Sequence, residues 1–218
     1  MKTFSKHFSC ASFSPTSFIR AAILLAICLM ASQVRAAVDA FIWFDSEAPT
    51  EAIIGQSVDS VFLARNGWSA LKDFSFGVEN PTTIGSATSG AGGGKAEFAE
   101  FTIQKTTDAA SPAFFRNCCA GAHYKTVTIA MRKPPRDPGS VSAGAYLVFR
   151  FQTVFTTKID WSGPGDEGPE ETITFVYGKL EINYRPQNAD GGIEKPGITE
   201  GWDQIANIGF SDPPVDVP

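Results

Sequence analysis

An alternation of apolar and polar residues with a period of two restricts this chain more than any other feature. Ala99, Phe101 and Ile103 alternate with Glu100, Thr102 and Gln104. Val127, Ile129 and Met131 alternate with Thr126, Thr128 and Ala130. Leu147, Phe149, Phe151 and Phe155 share one side, with Arg150, Gln152, Thr156 and Lys158 on the other. Successive strand side chains point to opposite faces, so this is the pattern of a sheet with one buried and one wet face. The 18 phenylalanines suit such a core. The expected fold class is all-β.

Two stretches depart from simple alternation. Ile173, Phe175 and Tyr177 are in one phase, and Leu180, Ile182 and Tyr184 in the other, with the switch at Gly178. A bulge at this glycine would turn the second set inward and bend the strand, as closure into a barrel requires. Residues 38–44 are apolar at nearly every position, which predicts a strand covered on both faces by a helix or a second subunit.

One helix is expected. Ser111-Pro112 is a helix start, 113–120 the body and Gly121 the stop. Its Phe114 and Phe115 would pack on the sheet. Residues 80–94, 134–144 and 162–169 are rich in Gly, Pro and Ser and read as loops. The proline-rich residues 211–218 read as a disordered tail. No repeat and no second hydrophobic pattern appears, so residues 37–210 are expected to form one domain.

The first 36 residues read as a signal peptide. Lys2, Lys6 and Arg20 precede or flank a short apolar run, 21–30, and no acid occurs before Asp39. Val34-Arg35-Ala36 places Val at −3 and Ala at −1 of a cleavage site after Ala36. A membrane anchor and a start at Met30 are the alternative readings. Cleavage would put the mature chain in the periplasm or outside the cell. Four of the 18 basic residues and none of the 23 acids lie in the leader, so the mature net charge is 14 − 23 = −9. Such a chain repels phosphate backbones, which argues against nucleic acid as partner. No later apolar stretch is long enough to cross a membrane as a helix.

No catalytic constellation emerges, and no cofactor is expected. Cys118 and Cys119 are adjacent, with Cα atoms about 3.8 Å apart, below the roughly 4.4–6.8 Å of ordinary disulfides. They read as two buried thiols on a short helix. The alternative, a metal cluster with His123, fits none of the common zinc spacings. His123 is the only histidine after residue 36, and nothing near it resembles a nucleophile elbow. Residues 90–95, Gly-Ala-Gly-Gly-Gly-Lys, fail the phosphate-loop pattern twice: Ser89 replaces its first glycine and Ala96 its Ser or Thr. The scattered acids single out no carboxylate pair.

Lys95-Ala96-Glu97-Phe98-Ala99-Glu100-Phe101-Thr102-Ile103-Gln104-Lys105, then Asp108-Ala109-Ala110-Ser111-Pro112, then Cys118-Cys119-Ala120-Gly121 and His123 follow one another in order. Further on come Arg132-Lys133, Tyr184-Arg185-Pro186-Gln187-Asn188-Ala189-Asp190-Gly191, and Gly201-Trp202-Asp203 leading to Asn207. This series resembles the Hcp family, the ring-forming tube proteins of type VI secretion. Ala37-Val38-Asp39-Ala40-Phe41 resembles that family's N-terminus, which supports cleavage after Ala36.

The resemblance implies a β-barrel of two antiparallel sheets with one short flanking α-helix. It implies homohexameric rings that stack into a tube, small effector proteins carried in the lumen, and contact with other type VI secretion components. In the family a Trp-Ser-Trp-Gly segment lines the ring; here Phe74-Ser75-Phe76-Gly77 takes its place, which makes Ser75 the lumen-facing residue. The alternation agrees, with Phe74, Phe76 and Val78 on one side and Leu71, Asp73 and Ser75 on the other. The loop carrying Asn80, Pro81, Thr82, Gly92, Gly93 and Gly94 matches the extension that reaches the next ring. A leader departs from the family pattern, because family tubes assemble in the cytoplasm. Two other readings stand beside the ring: a monomeric exported β-barrel that binds a partner through its loops, and a secreted hydrolase on this scaffold.

Overall fold

The computed structural model describes residues 38–47, 49–63, 67–81, 94–133, 144–165, 168–186, 192–194, 197–213 and 217. Contacts divide the chain into Met1–Ala36 and Ala37–Pro218, and every described residue belongs to the second unit. The elements are β1 (Asp39–Asp45), β2 (Ser69–Leu71), β3 (Asp73–Ser75), β4 (Val78–Glu79), β5 (Glu97–Phe98), β6 (Phe101–Thr106), α1 (Ser111–Ala120), β7 (His123–Arg132), β8 (Leu147–Gly165), β9 (Gly168–Tyr184), β10 (Ile198–Asp203) and β11 (Ile208–Phe210). The class is all-β, as the alternation predicts.

The strands form one nine-stranded antiparallel sheet, ordered β11-β10-β9-β8-β7-β1-β2, with β6 pairing both β9 and β3. The long strand β9 joins its parts: residues 170–175 pair with β6 and residues 179–184 with β10. The sheet is curved over one core but does not close as a barrel of two sheets. Among the described residues, no ladder joins the β1 and β6 sides. The chain itself does so, because β2 on β1 runs into β3 on β6 through a bend at Lys72, whose N–H donates to the Gln104 carbonyl (2.9 Å). The bend also resets the phase. Leu71, expected beside Ser75, packs instead on the core. Strands β4 and β5 form a separate two-stranded ladder that prolongs the β3–β6 hairpin.

Phe101 stacks between Phe151 (4.2 Å) and Phe175 (4.5 Å) at the centre of the core. Phe44 makes edge contacts with Phe114 and Tyr124, both at 5.0 Å. Burying each such ring contributes about 1.5–3 kcal/mol, and each favourable ring pair about 0.5–1.5 kcal/mol more.

The expected switch of phase at Gly178 is present, but it is shared by two strands. Phe151 and Val154 on β8, and Tyr177 and Leu180 on β9, all face the core. Thr153, opposite Gly178, has φ +55°. The register is the same on either side, Gln152↔Lys179 and Val154↔Tyr177. The site is therefore a paired kink and not a one-residue bulge. The register shifts of this ladder lie further along β8, between Thr156 and Lys158 and between Ser162 and Gly165. Because the faces exchange at Thr153, Phe155, expected with Phe151, faces solvent at 36% exposure and Thr156 turns inward. Ile182 and Tyr184 continue the phase of Leu180 but lie at 39% and 44% exposure, beyond the end of the core.

Strand β1 is indeed covered on both faces, by its own chain. Ile42 and Phe44 face the main core. Phe41 belongs to a second cluster with Phe62, Trp68, Ala130 and Val148 on the opposite face. The residues around Phe62, which lie outside the strands, form this cover, and the Phe62 ring stacks on Phe41 at 4.4 Å. They are pinned by Asp59, which accepts backbone N–H bonds from Val61 and Phe62 and two bonds from Arg132. Arg132 in turn lies over the rings of Phe41 and Phe62. Val217 packs against the same cluster, Asp212 pairs with Arg150, and Ser211 Oγ donates to the Thr199 carbonyl. The described part of the supposed tail thus makes contacts with the sheet.

The helix begins at Ser111 and ends at Gly121, which adopts φ +61° and donates its N–H to the Cys118 carbonyl. Phe114 is fully buried, whereas Phe115 is exposed beside Trp161 (6.2 Å). Beneath the helix start lies a buried charge cluster. Glu171 Oε1 accepts from Lys105 Nζ (2.8 Å) and Ser111 Oγ (2.9 Å), and Oε2 from Trp161 Nε1 (3.1 Å). Lys105 also pairs with Asp108 (2.8 Å). The Asp108–Ser111 turn is thereby fixed to β6 and β9.

Candidate functional site

The strand pairing builds a polar surface around Ser75. Phe74 of β3 and Phe76 just after it pack against Phe149 (5.9 and 4.9 Å), which turns Asp73 and Ser75 out to solvent. The register then aligns cross-strand rows. Ser75 pairs with Thr102 of β6, Thr102 with Thr174 of β9, and Thr174 with Lys158 of β8. Thr102 and Thr174 share a hydroxyl–hydroxyl hydrogen bond of 3.3 Å. The parallel row is Asp73, Gln104, Thr172 and Asp160. Thr157, at the register shift, donates to the Thr174 carbonyl (3.1 Å). This face carries short hydroxyls and a few charges and no large apolar side chain. Side chains this short leave a smooth surface that offers hydrogen bonds without a fixed pattern of recognition. Beyond it the same strands present an apolar row: His123 pairs with Phe155 (rings 5.4 Å apart), and Phe155 with Val176.

The loop residues separate into two groups. Asn80, Pro81 and Gly94 meet at the neck above the β4–β5 ladder. A Cβ on Gly94 would lie 2.7 Å from the Pro81 carbonyl and 3.3 Å from Asn80 Oδ1, so glycine is needed where the two arms approach. Thr82, Gly92 and Gly93 lie outside the described residues.

The residues weighed for chemistry are dispersed. Cys118 and Cys119 are free thiols in the last turn of α1; Cys118 is half-buried and Cys119, expected to be buried, is exposed. Burial raises the Cys118 pKa, with Cys119 adding to the rise. His123 is exposed, and its carbonyl accepts from Thr50 Oγ1 (2.7 Å). Among the described residues, no three His, Cys, Asp or Glu side chains are grouped to hold a metal. The buried Lys105–Glu171 pair was not anticipated. Its signal was present, since Lys105 continues the inward phase of Phe101 and Ile103, and Glu171 that of Ile173 and Phe175.

A family profile described as "Type VI secretion system effector, Hcp" matches residues 41–184. The chain belongs to the Hcp family. Protein hcp1 of Pseudomonas aeruginosa is 26% identical over 115 residues, which are 52% of this chain and 68% of that protein. A solved structure of a type six secretion system protein superposes with a TM-score of 0.68 at 26% identity, covering 80% of this chain and all of the other. Hcp1 from Salmonella typhimurium gives 0.58 at 21% identity, over 80% and 99% of the two chains. The last likeness bears on the fold alone.

Proposed function

We propose that this Hcp chain is exported by its leader, is cut after Ala36, and assembles from residues 37–210 into hexameric rings with Ser75 toward the lumen. In this reading the polar rows around Ser75 hold small effector proteins loosely, and the loop of Asn80, Pro81, Thr82, Gly92, Gly93 and Gly94 makes the contact with a stacked ring. The protein then serves as a tube subunit or effector carrier, with other type VI components as partners. The role is structural, not catalytic. The observation that carries the proposal is the orientation of β3: two phenylalanines fasten it to the core, so Ser75 must stand on a broad hydroxyl-rich sheet face. Ring closure would also bury the short edge strands β2 and β11, which are exposed to pairing in a lone subunit.

Negative-stain electron microscopy of the purified protein tests assembly. Six-fold rings are expected; single particles at high concentration would overturn the ring and leave the monomeric binding module. Mass spectrometry of the protein from the periplasm tests the leader, with a mature N-terminus at Ala37 expected and an intact Met1 the contrary result. Ser75→Trp should leave folding intact and reduce the small proteins that co-purify with rings.

A further inference from the structure

A groove of about 470 Å³ lies between the β4–β5 ladder and the β9–β10 pair. Val78, Phe98, Leu180, Ile182 and Trp202 line it, together with Glu200. Its floor is the core itself, since Leu180 is buried there and Phe98 packs against it. Its walls are open: Val78 is 59% exposed, Ile182 39% and Trp202 36%. An apolar hollow of this size with one charged group at its wall has the make-up of a binding site.

The charges around it select the occupant. Glu200 stands between Ile182 and Trp202 on the same sheet face, paired in register with Ile182. Glu79 and Glu97 pair across the adjoining ladder, but on its other face, away from Val78, Phe98 and the groove. None of the three has an ion-pair partner among the described residues. Lys95 is the single basic residue in 78–98. The groove therefore offers a cation two things at once, the Glu200 carboxylate at its wall and the aromatic ring of Trp202 beside it.

We propose that this groove binds a protein segment in which a large apolar side chain is flanked by Lys or Arg. The apolar side chain enters between Ile182, Trp202 and Val78, and a basic flank meets Glu200 beside the Trp202 ring. This goes beyond the ring reading and does not depend on it.

Titration of the full chain with acetyl-Lys-Leu-Phe-Lys-amide and acetyl-Glu-Leu-Phe-Glu-amide, followed by calorimetry, tests it. The basic peptide should bind at least tenfold tighter. Glu200→Lys should reverse the order, and Val78→Ser with Ile182→Ser should weaken the basic peptide at least tenfold. All three side chains are exposed, so these variants should fold; circular dichroism checks that. Equal binding of both peptides, no binding, or binding indifferent to the variants overturns the proposal. Sedimentation velocity on the same samples separates it from assembly. Peptide bound to monomers supports the groove while the ring fails; rings that bind no peptide, as when a second copy fills the groove, overturn the groove alone.

Discussion

Thr153 and Gly178 stand opposite one another in the β8–β9 hairpin, and both strands exchange their inward and outward faces there. Thr153 holds φ +55°, a left-handed conformation that costs a β-branched residue of order 1–2 kcal/mol. On the other strand, a Cβ on Gly178 would meet the Ile205 side chain at 3.0 Å and Thr153 Cβ at 3.4 Å. Thr153→Gly should be neutral or stabilising by up to about 1 kcal/mol, because relief of strain exceeds the added chain entropy. Thr172→Gly, in regular strand, should cost about 1 kcal/mol. Gly178→Val should cost about 1–3 kcal/mol through crowding. Urea unfolding of the three variants reads these differences.

The same kink separates two phenylalanines four residues apart. Phe151→Ala should destabilise by about 3–5 kcal/mol, since it empties the space beside Phe101. Phe155→Ala should cost less than about 1 kcal/mol, because that ring is on the surface. Similar losses at both positions would mean that the faces do not exchange at Thr153.

Lys105 and Glu171 are both almost wholly buried. Removing one partner leaves the other charge uncompensated, so Lys105→Met should cost about 3–5 kcal/mol. Adding Glu171→Gln should recover part of that loss, because the amide oxygen still accepts from Ser111 or Trp161. Denaturant titration of the single and double variants gives the coupling; strict additivity would argue against the pair.

Acid should weaken the cover over β1. Hydrogen bonds from Arg132 hold the Asp59 carboxyl at about 2, below its usual 3.8, with the N–H groups of Phe62 and Val61 assisting against the opposing effect of burial. A depressed carboxylate contributes stability above its unfolded pKa and loses it as pH falls through the folded value. The loss should therefore fall between about pH 4 and pH 2 and amount to of order 1–2 kcal/mol after screening. Asp59→Asn should be less stable at pH 7 and show a flatter profile across that window, measured by thermal melting.

Local signals were legible and long-range ones were not. Pro112 and Gly121 bound the helix because a missing N–H and a left-handed cap act within a few residues. Gly178 marked a change of phase, but its partner Thr153 carried no mark, since its conformation is imposed by the ladder. The cover on β1 was foreseen, yet its source was not: the residues around Phe62 bury side chains with no period. Ser75 could be placed on the wet face by alternation alone. Leu71 could not, because the bend at Lys72 resets that alternation. The groove beside Trp202 joins four separate segments, and nothing in their spacing announces it.

The pairing of β1 has a consequence for timing. Asp39 lies opposite Arg132, and the two side chains are bridged across 93 residues of chain. At roughly 5–20 residues per second of synthesis, β1 waits on the order of 5–20 s for its partner to appear. Contacts this distant also fold slowly once available. Until then β1 can pair only with the three residues of β2, and of its two ladders the seven-residue one to β7 closes last.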